Sequence, residues 1–258
     1  MVIDFHAHIY PDKIAEKAIF NIGEFYKISM REKGTVTGLL ENSAIDRFVV
    51  FSAAAVSAQV KSINTYIAEV SGENEKFTGF GTLHPDMTGP EEEINRMIDL
   101  GLKGVKFHPD MQCFNIDDRR MMDIYALLSK RLPVIFHTGD YRYDWSHPSR
   151  LANVLDNFPD LTVIAAHFGG WSVYDLALEF FKDRSCYFDI SSSIPYMGKR
   201  RAEELIRIYG AERFLFASDY PMWNPVSCLN EFMELKLTTN EQDLILYRNA
   251  LAILGEKT

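Results

Sequence analysis

Cysteine is scarce in this 258-residue chain: Cys113, Cys186 and Cys228 are scattered, odd in number and never in a CxxC pair. That spacing excludes a disulfide framework or a thiolate cluster and suits buried, reduced thiols in a cytoplasmic protein. Positive charge is also in deficit, with 27 Lys and Arg against 36 Asp and Glu and a formal charge of −9. Nucleic acid and anionic membrane surfaces are therefore poor partners. No apolar run has the length to span a bilayer, and the opening residues do not read as a signal peptide. GxGxxG, P-loop and GxSxG patterns are missing, which leaves no motif for a nucleotide cradle or a serine nucleophile. Gly169-Gly170 is too short for a phosphate loop and reads as a tight turn into a helix near Trp171. Ser191-Ser192-Ser193 offers hydroxyls to a ligand but no base-paired nucleophile.

What the chain does contain is a repeated apolar run. Near-continuous strand candidates occur at Val2–Phe5, Arg47–Phe51, Phe77–Gly81, Gly104–His108, Pro133–His137, Leu161–His167, Cys186–Ile190 and Arg213–Asp219. Runs apolar on both sides mark strands covered by helices, as in a parallel sheet. Between them lie helical periods: Ile94, Met97, Ile98 and Leu102 after Pro90 and Glu91-Glu92-Glu93; Ile124, Leu127 and Leu128 after Asp117-Asp118; Leu205, Ile206 and Tyr209 after Lys199-Arg200-Arg201. The glutamates read as a solvated first turn and the basic triplet as a solvated face. Eight strands alternating with helices predict a (β/α)8 TIM barrel over 1–258, in one domain, with a helical excursion at about 11–45 that can act as a lid.

In such barrels the chemistry sits at the C-terminal ends of the strands. Those ends carry His6 and His8, His84, Lys106 and His108, His137, His167, Asp189 and Asp219, so six of the seven histidines fall there. His6-Ala7-His8 carries most weight, because residues two apart on a strand face the same side. The seventh, His147, reads as a loop or helix-start residue. His84-Pro85-Asp86-Met87 and His108-Pro109-Asp110-Met111 echo one another and read as turn chemistry. Trp145, Trp171 and Trp223 read as cover for the barrel rim, or as lining of a pocket.

A catalytic zinc takes nitrogen and oxygen ligands and leaves one position for water. His6, His8, His137 and Asp219 supply four such donors, and a closed barrel gathers its strand ends round one axis. The metal would bring the pKa of bound water to about 7 and polarise a carbonyl. Asp219 would then relay the proton, with His167 beside it as acid, base or electrophile.

Five motifs together carry a resemblance: Ile3-Asp4-Phe5-His6-Ala7-His8, Gly104-Val105-Lys106-Phe107-His108-Pro109, Val134-Ile135-Phe136-His137-Thr138-Gly139, Ala166-His167-Phe168-Gly169-Gly170 and Ala217-Ser218-Asp219-Tyr220-Pro221. In this order they resemble the amidohydrolase superfamily, and more closely its amidohydrolase-related branch (amidohydrolase 2), which mixes hydrolases with decarboxylases. The resemblance implies a distorted barrel, usually with zinc, a metal held by His6, His8, His137 and Asp219, and a catalytic His167. In two-metal members the strand-four lysine is carbamylated and bridges the ions, which would put His137 and His167 on a second metal. One ion is expected here, because an unmodified Lys106 is a cation beside it. Lys106, His108 and Arg142 are then substrate contacts, with Tyr141 beside Arg142 meeting a substrate carboxylate. The expected activity is metal-dependent hydrolysis of an amide, lactone or ester of a small molecule. Non-oxidative decarboxylation at the same site is the alternative, and a non-catalytic metal-binding barrel the third reading. A homodimer is expected from the exposed outer helices.

Overall fold

Every apolar run becomes a strand in the computed structural model, which describes residues 1–257. The strands are β1 (Ile3–His8), β2 (Arg47–Phe51), β3 (Phe77–Gly79), β4 (Val105–Phe107), β5 (Val134–Phe136), β6 (Val163–Ala165), β7 (Tyr187–Asp189) and β8 (Phe214–Leu215). The helices are α1 (Asp12–Tyr26), α2 (Val36–Leu40), α3 (Val60–Glu73), α4 (Pro90–Asp99), α5 (Pro109–Gln112), α6 (Arg119–Leu128), α7 (Pro148–Asn157), α8 (Tyr174–Phe181), α9 (Ile194–Met197), α10 (Lys199–Tyr209), α11 (Pro225–Met233), α12 (Thr239–Asp243) and α13 (Asn249–Leu254). β6 and β8 stop short of the runs that predict them; His167 and Phe168, just past β6, and Asp219, four residues past β8, take left-handed backbone angles that turn the chain.

All strands pair in parallel, β1 to β3 in one sheet and β4 to β8 in another. Two narrow seams join the sheets into a ring. At one, Gly81 bridges Val105, and Lys106 N–H donates to Gly81 O at 2.8 Å. At the other, Ala7 bridges Tyr220, Phe5 N–H donates to Phe216 O and Asp219 N–H donates to His6 O, both at 2.9 Å. The fold is a distorted (β/α)8 TIM barrel.

Alternation along the strands divides the core into two layers. Ile3, Phe5, Val49, Phe51, Ile135 and Ile164 fill the interior, with Ala250 and Leu251 of α13 packed into the same cluster. Val105, Phe107, Val134 and Phe136 face the helices. A register break in β1 between Asp4 and Ala7 separates Phe5 in the interior from Ala7 in the outer layer. Such a break re-aims side chains, and it carries the chain from core packing to the two imidazoles at the strand end.

Three expectations change here. Glu93 is buried rather than solvated, accepting from Asn64 Nδ2 at 2.8 Å and from Arg96, so only Glu91 and Glu92 form an exposed turn. Ile98 points outward and Leu102 lies beyond the end of α4, leaving Ile94 and Met97 as its core contacts. Cys113 is exposed rather than buried, while Cys186 is buried and Cys228 half-buried; all three are free. The basic triplet is an ion-paired surface, with Lys199 on Glu234, and Arg200 and Arg201 on Glu204. Residues 11–45 contain α1 and α2, and α1 crosses the C-terminal mouth of the barrel, where Ile22 and Tyr26 wall the pocket below.

Candidate metal centre

β1 and the turn after β8 meet at the second seam, and that meeting builds the centre. Asp4 holds it from beneath, accepting from Ser218 Oγ at 2.5 Å, Ser218 N–H at 3.0 Å and His6 N–H at 3.1 Å. Burial pushes the Asp4 carboxyl up to about 7 against these bonds. Above it, His6 Nε2 and His8 Nε2 lie 3.2 Å apart, and Asp219 Oδ1 stands 3.3 and 3.6 Å from them. Asp189, ending β7, accepts from His6 Nδ1 at 2.8 Å with both groups buried. That bond places the imidazole hydrogen on Nδ1 and leaves Nε2 bare, the arrangement in which a carboxylate orients a metal-ligating histidine.

Burial, aided for His6 by Lys106 and for His8 by His6 itself, holds both imidazoles well below their usual pKa, so they stay neutral. Burial pushes Asp219 up to about 7, opposed by a 2.5 Å bond donated by Ser192 Oγ and by Lys106. Trp223 Nε1–H donates in turn to Ser192 Oγ at 2.9 Å. Two imidazole nitrogens and a carboxylate oxygen gathered within this span are the donor types a divalent metal takes, so the set fits such an ion.

His137 and His167 share the pocket but not this triad. His137 Nδ1 and His167 Nε2 are 3.0 Å apart, while His137 Nε2 lies 3.5 Å from Asp110 Oδ2, so His137 groups with His108 and Asp110. His108 stacks flat on His137, ring centroids 4.1 Å apart, and its Nε2 meets Tyr26 OH at 2.7 Å. Lys106 is fully buried with Nζ 3.1 Å from His6 Nε2, and burial lowers its pKa to about 8 against the pull of Asp189 and Asp219. Burial lowers His167 to about 3 and raises Asp110 to about 7, with Ser146 opposing the latter. His167, Ser192 and Asp219 all adopt φ between 50° and 66°, a strain of about 1–3 kcal/mol each that the surrounding bonds must sustain.

The structure thus gathers His6, His8 and Asp219 into one set, brings His137, His167, Lys106 and His108 to the same cavity, and leaves Arg142 outside it. Arg142 forks onto buried Asp140, donates to Phe25 O at 2.6 Å and lies against Phe25, Tyr26, Tyr143 and Trp171. It clasps the end of α1 to the β5 loop, and a guanidinium so occupied is not offered to a substrate. Tyr141 is 74% exposed and also stands apart. His147 caps α7, as its sequence context suggests. The serines serve neighbours rather than a ligand: Ser191 Oγ donates to Asp189 at 2.5 Å. Gly139 packs so closely on Gly170 that a Cβ on it would lie 2.3 Å from the Gly170 Cα, which explains the glycine in the β5 loop, while a Cβ on Gly170 would lie 2.9 Å from the Ala177 Cβ.

Roles for Asp189 and Asp110 escape the sequence reading, although Asp189 ends a strand and Asp110 sits in the His-Pro-Asp-Met echo. Tyr26 has no local signal, because only the path of α1 brings it to His108.

A buried histidine–carboxylate cluster at the C-terminal mouth of a TIM barrel is a candidate metal centre. The amidohydrolase family model (Amidohydro_2) matches residues 3–255, and the chain belongs to that family. An uncharacterised TIM-barrel protein from Bordetella bronchiseptica superposes with a TM-score of 0.81 at 20% identity, covering 99% of both chains. A 5-carboxyvanillate decarboxylase from Novosphingobium aromaticivorans, complexed with manganese and 4-hydroxy-3-methoxy-5-nitrobenzoic acid, gives 0.74 at 14%, covering 99% of this chain and 96% of that one. A probable 2-pyrone-4,6-dicarboxylic acid hydrolase from Acinetobacter baumannii, with citric acid bound, gives 0.71 at 15%, covering 98% of each. No curated protein matches the sequence.

Proposed function

We propose that the chain is a divalent-metal-dependent hydrolase that cleaves an amide, lactone or ester bond of a small molecule. The observation that carries this reading is the convergence of His6 Nε2, His8 Nε2 and Asp219 Oδ1, with Asp189 fixing the His6 tautomer. His137 is the fourth donor. Two imidazoles and a carboxylate suit zinc, and manganese, bound by a structural neighbour, is the competing ion. A bound cation of this kind acidifies water and polarises a substrate carbonyl.

The chain's own groups do the rest. Asp219 Oδ1 faces the metal donors while Oδ2 is held by Ser192, so this carboxylate takes the proton of the attacking water and passes it to the leaving group. His167 Nε2 lines the cavity beside His137 and, as a bare imidazole nitrogen, stands there as a base toward the reacting group. Lys106 and His108 bound the cavity and position the substrate. One ion with an unmodified Lys106 remains the reading; a bound cation would take the His6 Nε2 lone pair that Lys106 Nζ faces at 3.1 Å. The cavity at the triad has a volume of about 50 Å³, whereas a neighbouring one of about 730 Å³ shares Met222 with it. The reacting bond sits in the first, and the bulk of the substrate lies in the second, against Ile190, Ile194 and Trp223.

Non-oxidative decarboxylation is the second reading, favoured by the buried Lys106 ammonium as a carboxylate partner and by the decarboxylase among the structural neighbours. There Asp219 or His167 would protonate the product carbon. Metal analysis of the purified protein, followed by a panel of lactones, amides, esters and aromatic carboxylates, separates the readings. New acid without carbon dioxide supports hydrolysis; carbon dioxide release overturns it. His167→Asn should keep the metal and lose turnover, and unchanged turnover would refute its catalytic role.

A further inference from the structure

His137 Nε2 and both oxygens of Asp110 are buried, face one another and make no well-formed hydrogen bond, Ser146 standing close enough to Asp110 only to temper its raised pKa. Neighbouring bonds explain this by fixing the tautomers in sequence. Ser191 Oγ gives its only hydrogen to Asp189, so toward His167 Nδ1, at 2.9 Å, it can only accept. The Ser191 carbonyl also faces that nitrogen, at 3.2 Å. His167 therefore carries its hydrogen on Nδ1, and its Nε2 is bare. His137 Nδ1, 3.0 Å away, must donate to it, which leaves His137 Nε2 without a hydrogen opposite the Asp110 carboxylate. Buried polar atoms are seldom left in this condition, and each such group costs free energy.

We infer that Asp110 is the positioning carboxylate of His137, as Asp189 is of His6. The inference rests on the metal reading above. When His137 gives Nδ1 to a cation, its hydrogen moves to Nε2, and Asp110 gains the donor it lacks. The two histidines then stand as a matched pair with their ring nitrogens exchanged: His6 is oriented through Nδ1 and ligates through Nε2, and His137 is oriented through Nε2 and ligates through Nδ1. His108, stacked on the His137 face and held by Tyr26, keeps the ring in plane for both bonds.

The test is zinc and manganese affinity, by chelator competition, for the parent, Asp110→Asn, His137→Gln and the double variant. Asp110→Asn should bind about 10- to 100-fold more weakly. The double variant should bind no more weakly than His137→Gln alone, because Asp110 acts through that ring. Parent-like affinity in Asp110→Asn, or a further loss in the double variant, overturns the assignment; a purely structural role would lower thermal stability and leave metal affinity in place. If Asp110→Asn does not fold, Asp110→Glu, which keeps the acceptor, supplies the comparison, and it must bind more tightly than His137→Gln. A parent chain that takes up neither ion overturns the metal reading and this inference with it, whereas a parent that binds alongside an equal Asp110→Asn overturns this inference alone.

Discussion

Replacing Arg142 with methionine separates a clasp from a substrate contact. The side chain keeps its length and apolar stem but loses the fork onto Asp140, the bond to Phe25 O and its stacking beneath four aromatic rings. Asp140 is buried and would retain, of these charged contacts, only the Arg142 backbone N–H at 3.0 Å. Breaking a buried ion pair from one side costs about 3–5 kcal/mol. Arg142 is 24% exposed, so water relieves part of that penalty, and about 2–3 kcal/mol is the working figure. At about 2–4 °C per kcal/mol for a chain of this size, Tm should fall by about 4–12 °C. The loss should be local as well: amide hydrogen exchange should quicken over residues 22–33, where α1 ends, before it does so in the strands. Arg142→Lys keeps the charge without the fork and should fall between parent and methionine. An Arg142→Met protein with parent-like Tm and exchange but a raised KM would refute the clasp and restore the guanidinium as a substrate contact.

Asp189→Asn should weaken metal binding by about 10- to 100-fold, because an amide cannot hold the His6 tautomer as the carboxylate does; chelator competition measures it, and unchanged affinity would contradict the role given to Asp189. Saturating the parent with its cation at 100 times Kd should add about 2.7 kcal/mol of stability, visible as a rise in Tm that chelator reverses. The third concerns Glu93, whose pKa stays below the usual glutamate value because the Arg96 and Asn64 bonds outweigh the burial that raises it. A depressed folded pKa gives stability that is present above the unfolded value and lost as pH falls through the folded one. Glu93→Gln should therefore be less stable at neutral pH by about 1–2 kcal/mol, with Arg96 partly solvated, and should converge with the parent once pH falls below the depressed Glu93 pKa in denaturant titrations.

The strands and the placing of most candidate ligands at the barrel mouth are legible in the sequence because each depends on short-range pattern. Apolar runs such as Val134-Ile135-Phe136 mark β5, and the residue that ends the run, His137, is carried to the mouth by strand geometry alone. Charge patterns are less reliable. Glu93 looks solvated beside Glu91 and Glu92, and only α3, by presenting Asn64, makes it a buried partner. Arg142 is similar: a cation after a strand end suggests a ligand contact, yet Asp140 lies two residues away and the arrival of Phe25 decides its use. Tyr26 and Asp110 were illegible in function for the same reason. Their roles come from pairings with His108 and His137 across different βα units, which no local period encodes.

The seam between β1 and the end of β8 has a kinetic meaning. His6 and His8 lie near one end of the described chain and Asp219 toward the other, so their meeting is among the contacts of greatest sequence separation in the fold. Closing so long a loop costs entropy that grows only slowly with length, but the closure itself must occur before any of these atoms meet. A partly folded chain that has built every unit except the last has most of its apolar core, lacking Leu215, Ala250 and Leu251, and no triad. Uptake of a cation is therefore a reporter of ring closure, and in a refolding experiment it should follow the burial of the strands rather than accompany it.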